Sequence, residues 1–447
     1  MPESFDLVAI GTGTAASAAA ARCRASGWRV AVVDSRPFGG TCALRGCDPK
    51  KVLVGAADLL DWCRRMEGRG FRGEGARLEW RDLIRFKRTF TDPVPGMRAE
   101  AFERAGIVAL SGRARFTGPG RIEVGGRTLE ARHVLIATGS RPADLGIPGS
   151  EHLVTSDGFL ELDALPRRLV FVGGGYISFE FAHIAARAGS HVTIVHRGPR
   201  PLAGFDPDLV GLLVKRSRSL GIDVQLDTRV IGIEREKDGL SVSAQGGRTS
   251  RADMVVHGAG RVPEIDDLGL DEAGVESGRR GVRVNEYLQS VSNPAVFAAG
   301  DAADTAGLPL TPVAGYEGRI AAENLLNGNR VSADYSGIPS VVFTIPPLAR
   351  AGLSEEEARE RRLAFRVNTM ETSGWYSSRR VNAEGSGFKV LVEEPGGRIL
   401  GAHLIGPQAE ELINVFALAI RKELKASDLK EGLFAYPTHA SDLPYMV

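Results

Sequence analysis

Two cysteines, Cys42 and Cys47, lie close together near the start of this 447-residue chain, with four residues between them. Thiols at this spacing form a disulfide and open again, which is the chemistry of a redox-active dithiol. A purely structural disulfide is the alternative, but closing a loop of about six residues removes only roughly 2 kcal/mol of chain entropy. Because that is little for a chain of this size, we interpret the pair as redox-active.

The residues after Cys47 are predicted to form a helix. Pro49 suits its first turn, and a helical run follows over residues 50–60. A thiol at a helix N-terminus faces unpaired amides and the positive end of the dipole, which lowers its pKa and favours the thiolate. The other two cysteines, Cys23 and Cys63, lie in helical stretches far in sequence from any other thiol, and we interpret them as packing residues.

A strand, a glycine-rich turn and a helix are predicted at the N-terminus. The apolar segment 5–10 leads into Gly11 and Gly13, with Ala16 at the third position of the fingerprint, and the next strand ends at Asp34. This pattern is typical of a β-α-β unit that binds a dinucleotide. The glycines let a pyrophosphate approach, the helix N-terminus stabilises its charge, and Asp34 can bind a ribose hydroxyl.

The same pattern occurs a second time, which makes it far more informative than one copy. Residues 169–172 form an apolar strand that leads into Gly173 and Gly175, and residues 191–195 supply the next strand. Two such units imply two dinucleotides.

The residues after the second strand distinguish the two units. In place of an acidic residue, the second unit has His196 and Arg197, with Arg200 close by. A carboxylate at this position favours NAD, whereas basic side chains accept the 2′-phosphate of NADP. The alternative is that His196 and Arg197 are solvated loop residues. The sequence therefore predicts NADPH at the second site.

Length and composition predict two or three domains, each with its own core. Hydrophobic residues make up 43% and charged residues 25% of the chain, as in an ordinary globular protein. The formal net charge is +1 without a basic block, which argues against nucleic acid or membrane as a partner. The chain contains no long apolar run, and no basic segment precedes the first strand, so we expect a cytoplasmic protein that acts on a small molecule.

With a dithiol between two such units, the chain resembles the flavoprotein pyridine nucleotide-disulfide oxidoreductases, the family of glutathione reductase, dihydrolipoamide dehydrogenase and mercuric reductase. The resemblance covers essentially the whole length. Beyond the dithiol it rests on short motifs that are highly specific together: Ala137-Thr138-Gly139-Ser140-Arg141-Pro142, Gly260-Arg261-Val262-Pro263, Ala299-Gly300-Asp301 and Leu310-Thr311-Pro312-Val313-Ala314.

The resemblance implies an α/β fold with two Rossmann-like dinucleotide-binding domains and a C-terminal α+β dimerisation domain. Residues 1–152 and 266–335 would bind FAD, residues 153–265 would bind the nicotinamide nucleotide, and residues 336–447 would form the interface domain. In such proteins the last domain completes the active site of the partner subunit, so a homodimer is expected. No bound metal is expected.

The resemblance also assigns roles to single residues. Lys50 resembles the lysine near flavin N5, paired with Glu180, and Asp301 resembles the aspartate that touches the flavin ribityl chain. Tyr176 resembles the aromatic gate that covers the flavin until the nicotinamide arrives, with core packing as the alternative. The other cofactor-binding candidates in the matched motifs are Gly40, Thr41, Thr138, Gly139, Ile177, Gly260, Arg261, Gly300, Thr311, Pro312 and Val313.

The implied mechanism has two halves. Hydride passes from NADPH to the flavin, and the reduced flavin opens the disulfide of Cys42 and Cys47. Cys47, which is nearer the helix start, is the expected thiolate stacked on the flavin, and Cys42 attacks the substrate. The mixed disulfide that forms is resolved by the second thiol.

Two positions around the dithiol depart from the family pattern. The spacer Ala43-Leu44-Arg45 replaces a valine-asparagine type of spacer, and Asp48 stands where relatives have an aliphatic residue. Arg45 would lower the pKa of a nearby thiolate and Asp48 would raise it, and the sequence leaves the net effect open.

The C-terminal segment departs as well. Relatives that reduce disulfides have His-Pro-Thr followed by glutamate, an acid-base pair for the departing thiol. Here Tyr436 replaces the histidine and Ser441 stands at the glutamate position, while His439 is a candidate substitute base. A lone histidine of this kind is more often a surface or packing residue. Mercuric reductase also lacks the histidine, but its paired C-terminal cysteines have no counterpart after Cys63.

The predicted function is the NADPH-dependent reduction of a disulfide or thiol-reactive acceptor through FAD and the dithiol. The alternative is the reduction of mercuric or another metal ion, or of a quinone, without a general acid. A redox-sensing flavoprotein with little turnover is the third hypothesis.

Overall fold

The computed structural model describes residues 2–447 of the chain. They form two compact units. The first contains the residues up to Lys50 together with Phe86–Ala143 and Arg261–Tyr335, and the second contains Lys51–Arg85, Asp144–Gly260 and Ser336–Val447. Within residues 2–447, none of the helices has both the length and the apolar character needed to cross a membrane.

Several helices begin with proline in their first turn, where its missing N–H and fixed φ fit a helix start. The α-helices are, in chain order, α1 (Thr14–Ala25), α2 (Gly40–Arg45), α3 (Cys47–Arg65), α4 (Trp80–Thr91), α5 (Val94–Arg104), α6 (Ser156–Leu160), α7 (Tyr176–Arg187), α8 (Pro207–Ser219), α9 (Thr311–Asn327), α10 (Glu355–Glu360), α11 (Tyr376–Arg380), α12 (Ala409–Arg421), α13 (Ala426–Glu431) and α14 (Leu443–Met446). Short 3₁₀ turns cover Ser150–His152, Leu270–Ala273, Gly300–Ala302 and His439–Asp442.

The strands are mostly short. In chain order they are β1 (Glu3–Ile10), β2 (Val30–Asp34), β3 (Val108–Ser111), β4 (Ala114–Gly118), β5 (Arg121–Val124), β6 (Arg127–Ile136), β7 (Ser140–Pro142), β8 (Leu153–Val154), β9 (Arg168–Val172), β10 (His191–Val195), β11 (Asp223–Gln225), β12 (Val230–Glu236), β13 (Gly239–Ala244), β14 (Thr249–Ala252), β15 (Met254–His257), β16 (Arg261–Pro263), β17 (Ser277–Gly278), β18 (Gly281–Arg283), β19 (Val296–Ala298), β20 (Ala303–Asp304), β21 (Ser340–Val342), β22 (Leu348–Gly352), β23 (Phe365–Glu371), β24 (Gly387–Glu393) and β25 (Ile399–Ile405).

The main sheet of the first unit has the order β3-β2-β1-β6-β5-β4, with β19 beside β6. Strand β1 pairs in parallel on both sides, so that Leu7 lies opposite Val30 of β2 and His133 of β6. Val8 and Ile136 are fully buried, as expected for near-continuous apolar strands covered on both faces. The glycine turn after β1 therefore leaves the carboxyl end of a central parallel strand, where open α/β sheets bind ligands.

Small residues hold α1 close to α9 in the first unit. Ala16 and Ala20 of α1 are fully buried. A Cβ placed on Gly318 of α9 would lie only 2.3 Å from the carbonyl oxygen of Ala15. The helix that follows the first glycine turn thus packs directly on the helix that begins at Thr311.

The second unit contains a parallel sheet with the strand order β11-β10-β9-β15-β8. Val192 of β10 lies opposite Leu169 of β9, and Met254 of β15 lies opposite the same residue on the other side. Helix α7 packs here through Phe179 and Ile184, both fully buried. The antiparallel strands β12, β13 and β14 form a separate small sheet.

The C-terminal part of the second unit is an antiparallel sheet in the order β21-β22-β25-β24-β23. Helix α12 packs against it through Ile413 and Phe416, which are fully buried together with Phe388 and Val390 of β24. Antiparallel strands with helices on one face are an α+β arrangement, as predicted for this end of the chain.

The structure confirms the predicted α/β fold and both strand-turn-helix units. The predicted strand at 5–10 is observed as β1, and the predicted strand at 191–195 is β10. The second compact unit combines residues on either side of the predicted nucleotide-binding and interface boundaries. The domain limits derived from the resemblance stay a prediction.

Candidate functional site

The predicted site residues are divided between the two units. The first unit contains Gly11, Gly13, Ala16, Asp34, Gly40, Thr41, Cys42, Cys47, Lys50, Thr138, Gly139, Arg261, Gly300, Asp301, Thr311, Pro312 and Val313. The second contains Gly173, Gly175, Tyr176, Ile177, Glu180, His196, Arg197, Arg200, Gly260, Tyr436 and His439.

The two cysteines of the dithiol lie on successive helices. Cys42 is on α2, and Cys47 is the first residue of α3. Gly46 makes the turn between them, where a Cβ would lie 2.9 Å from the carbonyl oxygen of Thr41 and so has no space. Both cysteines are free thiols, with Cys42 half-buried and Cys47 exposed.

The two thiols differ in acidity. A hydrogen bond from the Cys42 thiol lowers the pKa of Cys47 to about 6 against the effect of burial, with help from Thr311 and Lys50. The same hydrogen bond raises the pKa of Cys42, and burial raises it further. The dithiol is therefore asymmetric: at neutral pH Cys47 is the thiolate and Cys42 holds the shared proton.

Thr311 is the residue that supports the Cys47 thiolate from a distant part of the chain. Its hydroxyl oxygen lies 3.5 Å from the Cys47 sulfur. Thr311 is the first residue of α9, and Pro312 follows it in the first turn. The sequence places Thr311 in a cofactor-binding motif, and the structure adds the contact with the dithiol.

Asp48 opposes the thiolate that Lys50 and Thr311 favour. The Asp48 carboxylate raises the pKa of both cysteines, and its Oδ1 lies 3.9 Å from the Cys42 sulfur. The cation that acts on Cys47 is the buried Lys50 ammonium rather than the expected Arg45 guanidinium.

The turn after β1 is shaped for a phosphate. Gly11 has φ +113°, and a Cβ there would lie 2.3 Å from the carbonyl oxygen of Ala137. A Cβ on Gly40 would lie 2.5 Å from the Cα of Gly13. Gly13, which has no side chain, caps α1, so the first amides of the helix face outwards to an anion. These residues fit the pyrophosphate of a dinucleotide such as FAD.

Asp34 ties this turn to the end of β2. One carboxylate oxygen accepts hydrogen bonds from the backbone N–H of Thr12 at 2.9 Å and from its hydroxyl at 2.6 Å. The other oxygen accepts the N–H of Arg36 at 3.0 Å. The oxygen that accepts the Arg36 N–H has a second lone pair, so Asp34 still has acceptor capacity for a ribose hydroxyl.

A polar cluster holds Asp301 beside β7. The hydroxyl of Ser140 donates to Asp301 at 2.7 Å, and the guanidinium of Arg261 donates to the same hydroxyl at 3.0 Å. Nearby, the buried hydroxyl of Thr138 has no hydrogen-bond partner within residues 2–447. An unsatisfied buried hydroxyl beside a phosphate-binding turn fits a cofactor contact.

Glu317 is a functional residue that the sequence reasoning missed. This buried carboxylate on α9 accepts the N–H of Gly300 at 2.6 Å, the hydroxyl of Thr305 at 2.8 Å and the hydroxyl of Tyr335 at 2.7 Å. Burial raises its pKa. Glu317 thereby fixes the backbone next to Asp301. Its only sequence signal is an acidic residue among small and apolar ones in α9.

The second glycine turn repeats the construction of the first. Gly173 has φ +111°, and a Cβ there would lie 2.3 Å from the carbonyl oxygen of Gly258. A Cβ on Gly258 would lie 2.0 Å from the hydroxyl of Ser178, a buried group without a hydrogen-bond partner in the described chain. Gly175 caps α7, and Tyr176 follows with 49% of its surface exposed. The turn fits a second dinucleotide.

The basic residues after β10 have different surroundings. The ring of His196 covers Gly174, where a Cβ would lie 2.6 Å from it, and its Nε2 lies 3.1 Å from the carbonyl oxygen of Arg200. Burial lowers the pKa of His196. A neutral, packed ring is a poor phosphate ligand, so the cations available here are Arg197 and Arg200.

Glu180 lies on α7 and is almost fully buried. Its carboxylate accepts the backbone N–H of Phe343 at 2.8 Å. One turn further along the helix, Nδ1 of His183 accepts the N–H of Ile345 at 3.1 Å. Lys50 belongs to the first unit, and its predicted pairing with Glu180 stays a prediction.

In the C-terminal segment, the side chain of Tyr436 is exposed and that of His439 is partly buried. Tyr436 is 80% exposed. His439 begins a 3₁₀ turn in which the hydroxyl of Thr438 accepts the N–H of Ser441. Burial lowers the pKa of His439, while Asp442 opposes this effect.

Comparison with known proteins identifies the family. Residues 5–318 match the family model of the pyridine nucleotide-disulphide oxidoreductases, and residues 338–447 match the model of the dimerisation domain of that family. The chain belongs to the pyridine nucleotide-disulphide oxidoreductases. It is an NAD(P)H-dependent flavoprotein enzyme of that family, with a pair of redox-active cysteines and a C-terminal dimerisation domain.

Several relatives match along nearly the whole chain. A glutathione reductase of Burkholderia cepacia is 34% identical over 446 residues, which cover 98% of this chain and 97% of that protein. A dihydrolipoyl dehydrogenase of Bacillus subtilis is 30% identical over 446 residues, covering 98% and 94%. Relatives named for different substrates thus have similar identity to this chain, at 34% and 30%.

Solved structures also match along nearly the whole chain. The HOCl-induced flavoprotein disulfide reductase RclA of Escherichia coli superposes with a TM-score of 0.89 at 27% identity, covering 99% of both chains. The Cu(II) complex of RclA gives a TM-score of 0.90 at 27% identity, covering 100% of this chain and 99% of that one.

Proposed function

We propose that this enzyme takes hydride from NADPH and passes two electrons through FAD and the dithiol to a disulfide or thiol-reactive acceptor. The observation that carries the proposal is the asymmetric pair of thiols. The pKa of Cys47 is about 6, and the Cys42 thiol keeps the shared proton. Such a reductase requires two different sulfurs: a thiolate, here Cys47, that exchanges electrons with the flavin, and a thiol, here Cys42, that reacts with the acceptor.

We assign the first glycine turn to FAD and the second to NADPH. The FAD-binding domain would comprise residues 1–152 and 266–335, and the nicotinamide nucleotide would bind residues 153–265. Gly11, Gly13 and Asp34 support the FAD assignment through the turn they form. When bound, the two cofactors supply the hydride and electron transfer between nicotinamide and dithiol.

Arg197 and Arg200 support the choice of NADPH over NADH. Both are cations at the end of β10, where an NAD site has a carboxylate. Charge-assisted hydrogen bonds from a guanidinium to a phosphate are among the stronger polar contacts in proteins.

The residues of the dithiol account for the second half of the reaction. In the reduced enzyme, the Cys42 sulfur attacks one sulfur of the acceptor, a new S–S bond forms, and the first acceptor thiolate leaves. The Cys47 thiolate then attacks Cys42, which releases the second thiolate and restores the disulfide. One released thiolate takes the proton that Cys42 gave up, and the other takes a proton from solvent. Thr311 and Lys50 hold the negative charge on Cys47 until that second attack.

We infer a homodimer in which residues 336–447 form the interface and bring Tyr436 and His439 to the dithiol of the partner subunit. The match to the family dimerisation domain supports this arrangement. The exposure of Tyr436 supports it too, because a tyrosine that is 80% exposed in one chain is available for contact with another.

Reduction of a metal ion or a quinone is the second candidate. Tyr436 in place of the histidine favours an acceptor that leaves without protonation. RclA, which shares the fold, forms a complex with Cu(II). A soft or borderline metal ion reacts with thiolates directly.

The test is an acceptor screen with the purified holoprotein and NADPH, covering glutathione disulfide, lipoamide, small organic disulfides, quinones, Hg(II) and Cu(II). We expect turnover with at least one disulfide or thiol-reactive acceptor, lost in Cys42→Ser and retained in the control Cys63→Ser. Quinone turnover that survives Cys42→Ser would establish direct transfer from flavin. Negligible NADPH oxidation with every acceptor would overturn the proposal in favour of a redox sensor.

A further inference from the structure

Asp48 places a carboxylate beside the thiol that meets the acceptor. It follows Cys47 in the first turn of α3 and is exposed. Its Oδ1 lies 3.9 Å from the sulfur of Cys42. Any group that bonds to the Cys42 sulfur therefore comes within a few ångströms of this negative charge.

The two sulfurs experience different charges. The Cys42 sulfur is acted on by the Asp48 carboxylate and by Cys47 itself. At Cys47, the Lys50 ammonium opposes Asp48. Lys50 is buried, whereas Asp48 is exposed. Asp48 is thus an exposed negative neighbour of Cys42, whereas at Cys47 its effect is opposed by the Lys50 ammonium.

We propose that Asp48 selects acceptors by charge, so that Cys42 reacts with cationic and neutral acceptors in preference to anionic ones. This inference rests on the proposed function in one respect, the assignment of Cys42 as the attacking thiol. The physical basis is Coulomb repulsion over a short distance, which bulk water weakens but does not remove. It disfavours polycarboxylate disulfides and favours disulfides with amino groups and metal cations.

Asp48 also has a purely structural explanation. An acidic residue in the first turn stabilises a helix through its dipole. That role requires no contact with a sulfur. If it were the only role of Asp48, the rate at which Cys42 reacts would not depend on the charge of the reagent. The two explanations therefore differ in one measurable quantity, the ratio of rates for two reagents that differ only in charge.

The test uses iodoacetate, an anion, and iodoacetamide, its neutral analogue. The FAD-loaded protein is reduced with dithiothreitol, freed of excess reductant and alkylated at low ionic strength, and labelling of Cys42 is followed by peptide mass spectrometry. Any change in the pKa of the Cys42 thiol changes both rates alike, so the iodoacetate-to-iodoacetamide ratio reports the local charge alone.

We expect Asp48→Asn to raise this ratio by at least about threefold, and the increase to shrink as salt is added. Asp48→Glu keeps the charge and should keep the ratio within about a factor of two. The control Asp271→Asn removes an equal charge from an exposed 3₁₀ turn of the same unit and should leave the ratio unchanged. An unchanged ratio in Asp48→Asn overturns the inference.

Turnover supplies the second arm. The ratio of kcat/KM for cystamine, a cationic disulfide, to that for dithiodiglycolate, an anionic one, should fall at least about threefold in Asp48→Asn. The two arms separate the possible failures. If neither disulfide is reduced and the acceptor screen finds no acceptor, the proposed function fails while alkylation still tests Asp48. If turnover is normal but neither the alkylation ratio nor the kcat/KM ratio changes in Asp48→Asn, the charge selection is wrong while the proposed function stands.

Discussion

The hydroxyl oxygen of Thr311 lies 3.5 Å from the sulfur of Cys47, although the two residues are 264 positions apart in the sequence. The contact joins the first residue of α9 to the first residue of α3. Two helix N-termini and one hydroxyl donor thus meet at a single sulfur. Such an environment favours the anion, in agreement with the low pKa of Cys47.

Thr311→Val should raise the pKa of Cys47, because valine has nearly the same shape but donates no hydrogen bond. A hydrogen bond to a charged group is worth about 1.5–3 kcal/mol, so the expected increase is about one to two pKa units. The thiolate is present above its pKa of about 6 and is lost as the pH falls through that value. The measurement is the pH dependence of the broad long-wavelength absorbance expected when the holoprotein takes up two electrons.

Thr311→Ser keeps the hydroxyl and should keep the wild-type midpoint of that titration. Cys47→Ala should remove the absorbance altogether, because a Cys47 thiolate beside oxidised flavin is its expected source. The same midpoint in wild type and Thr311→Val would show that the hydroxyl does not support the thiolate.

Glu317→Ala should destabilise the first unit. It would leave the Gly300 N–H and the hydroxyls of Thr305 and Tyr335 without their acceptor. Each buried donor left unsatisfied costs about 1–3 kcal/mol, so for three donors we expect a loss of at least about 3 kcal/mol in the free energy of unfolding, with weaker FAD retention. Denaturant titration of the holoprotein measures the loss in the free energy of unfolding.

Glu323→Ala is the matched control for Glu317→Ala. Glu323 lies on the same helix, but its pair with Arg22 is solvent-exposed, so its loss should change stability by well under about 1 kcal/mol. Equal stability of the two variants would show that the Glu317 hydrogen bonds contribute little.

Arg187 and Asp61 form a buried ion pair of 2.7 Å in the second unit. Removing one partner of such a pair typically costs about 3–5 kcal/mol, so Arg187→Met should destabilise by that amount. Arg104→Met, which removes an exposed pair with Glu100, should have almost no effect. A small loss in Arg187→Met would show that Asp61 finds compensation from Arg65.

The pH dependence of stability follows from the same pair. Burial pushes the pKa of Asp61 up, but Arg187 and Arg65 outweigh it, and the net pKa is lowered. A lowered carboxyl pKa contributes stability above its unfolded value, and this stability is lost as the pH falls through the folded value. Wild-type stability should therefore decline below about pH 4, and Asp61→Asn should show a shallower acid decline.

Arg197→Ala and Arg200→Ala should each lower kcat/KM for NADPH while leaving the value for NADH nearly unchanged. One charge-assisted contact to the phosphate is worth about 1.5–3 kcal/mol, so the expected loss is at least about tenfold. His196→Gln should have a smaller effect, because the pKa of His196 is lowered and its ring is tied to the Arg200 carbonyl. Equal use of both nucleotides by the wild type would refute the preference.

The sequence predicts those structural features that depend on residues close together in the chain. The glycine turns that end β1 and β9 and the position of Cys47 at a helix start follow from turn chemistry, strand periodicity and proline placement over a few residues. These features were confirmed because each is decided by its immediate neighbours.

The sequence could not predict contacts between distant segments. Glu317 under Gly300, Gly258 against Ser178 and the Phe343 N–H on Glu180 depend on which elements the fold brings together. His196 shows the same limit, because its packing on Gly174 and its lowered pKa depend on contacts that its sequence position does not reveal.

Tyr436 stands where relatives that reduce disulfides have a histidine. A histidine at this position would accept and return a proton near pH 7, a role worth about 10² to 10⁴ in rate, whereas a phenol donates a hydrogen bond but is a poor base. Glutathione disulfide and lipoamide should therefore be at least about a hundredfold poorer in kcat/KM than an acceptor that leaves as a stable anion.

The variants at this segment test that argument. Tyr436→Phe should reduce turnover less than Cys42→Ser does. Tyr436→His should raise kcat/KM for glutathione disulfide more than kcat/KM for an aromatic disulfide, because the aromatic thiolate leaves without a proton. Because burial lowers the pKa of His439, the pH profile should show no break near 6.5 that disappears in His439→Ala. Efficient glutathione disulfide reduction by the wild type, abolished in His439→Ala, would show instead that the acid-base function has moved three residues along the chain.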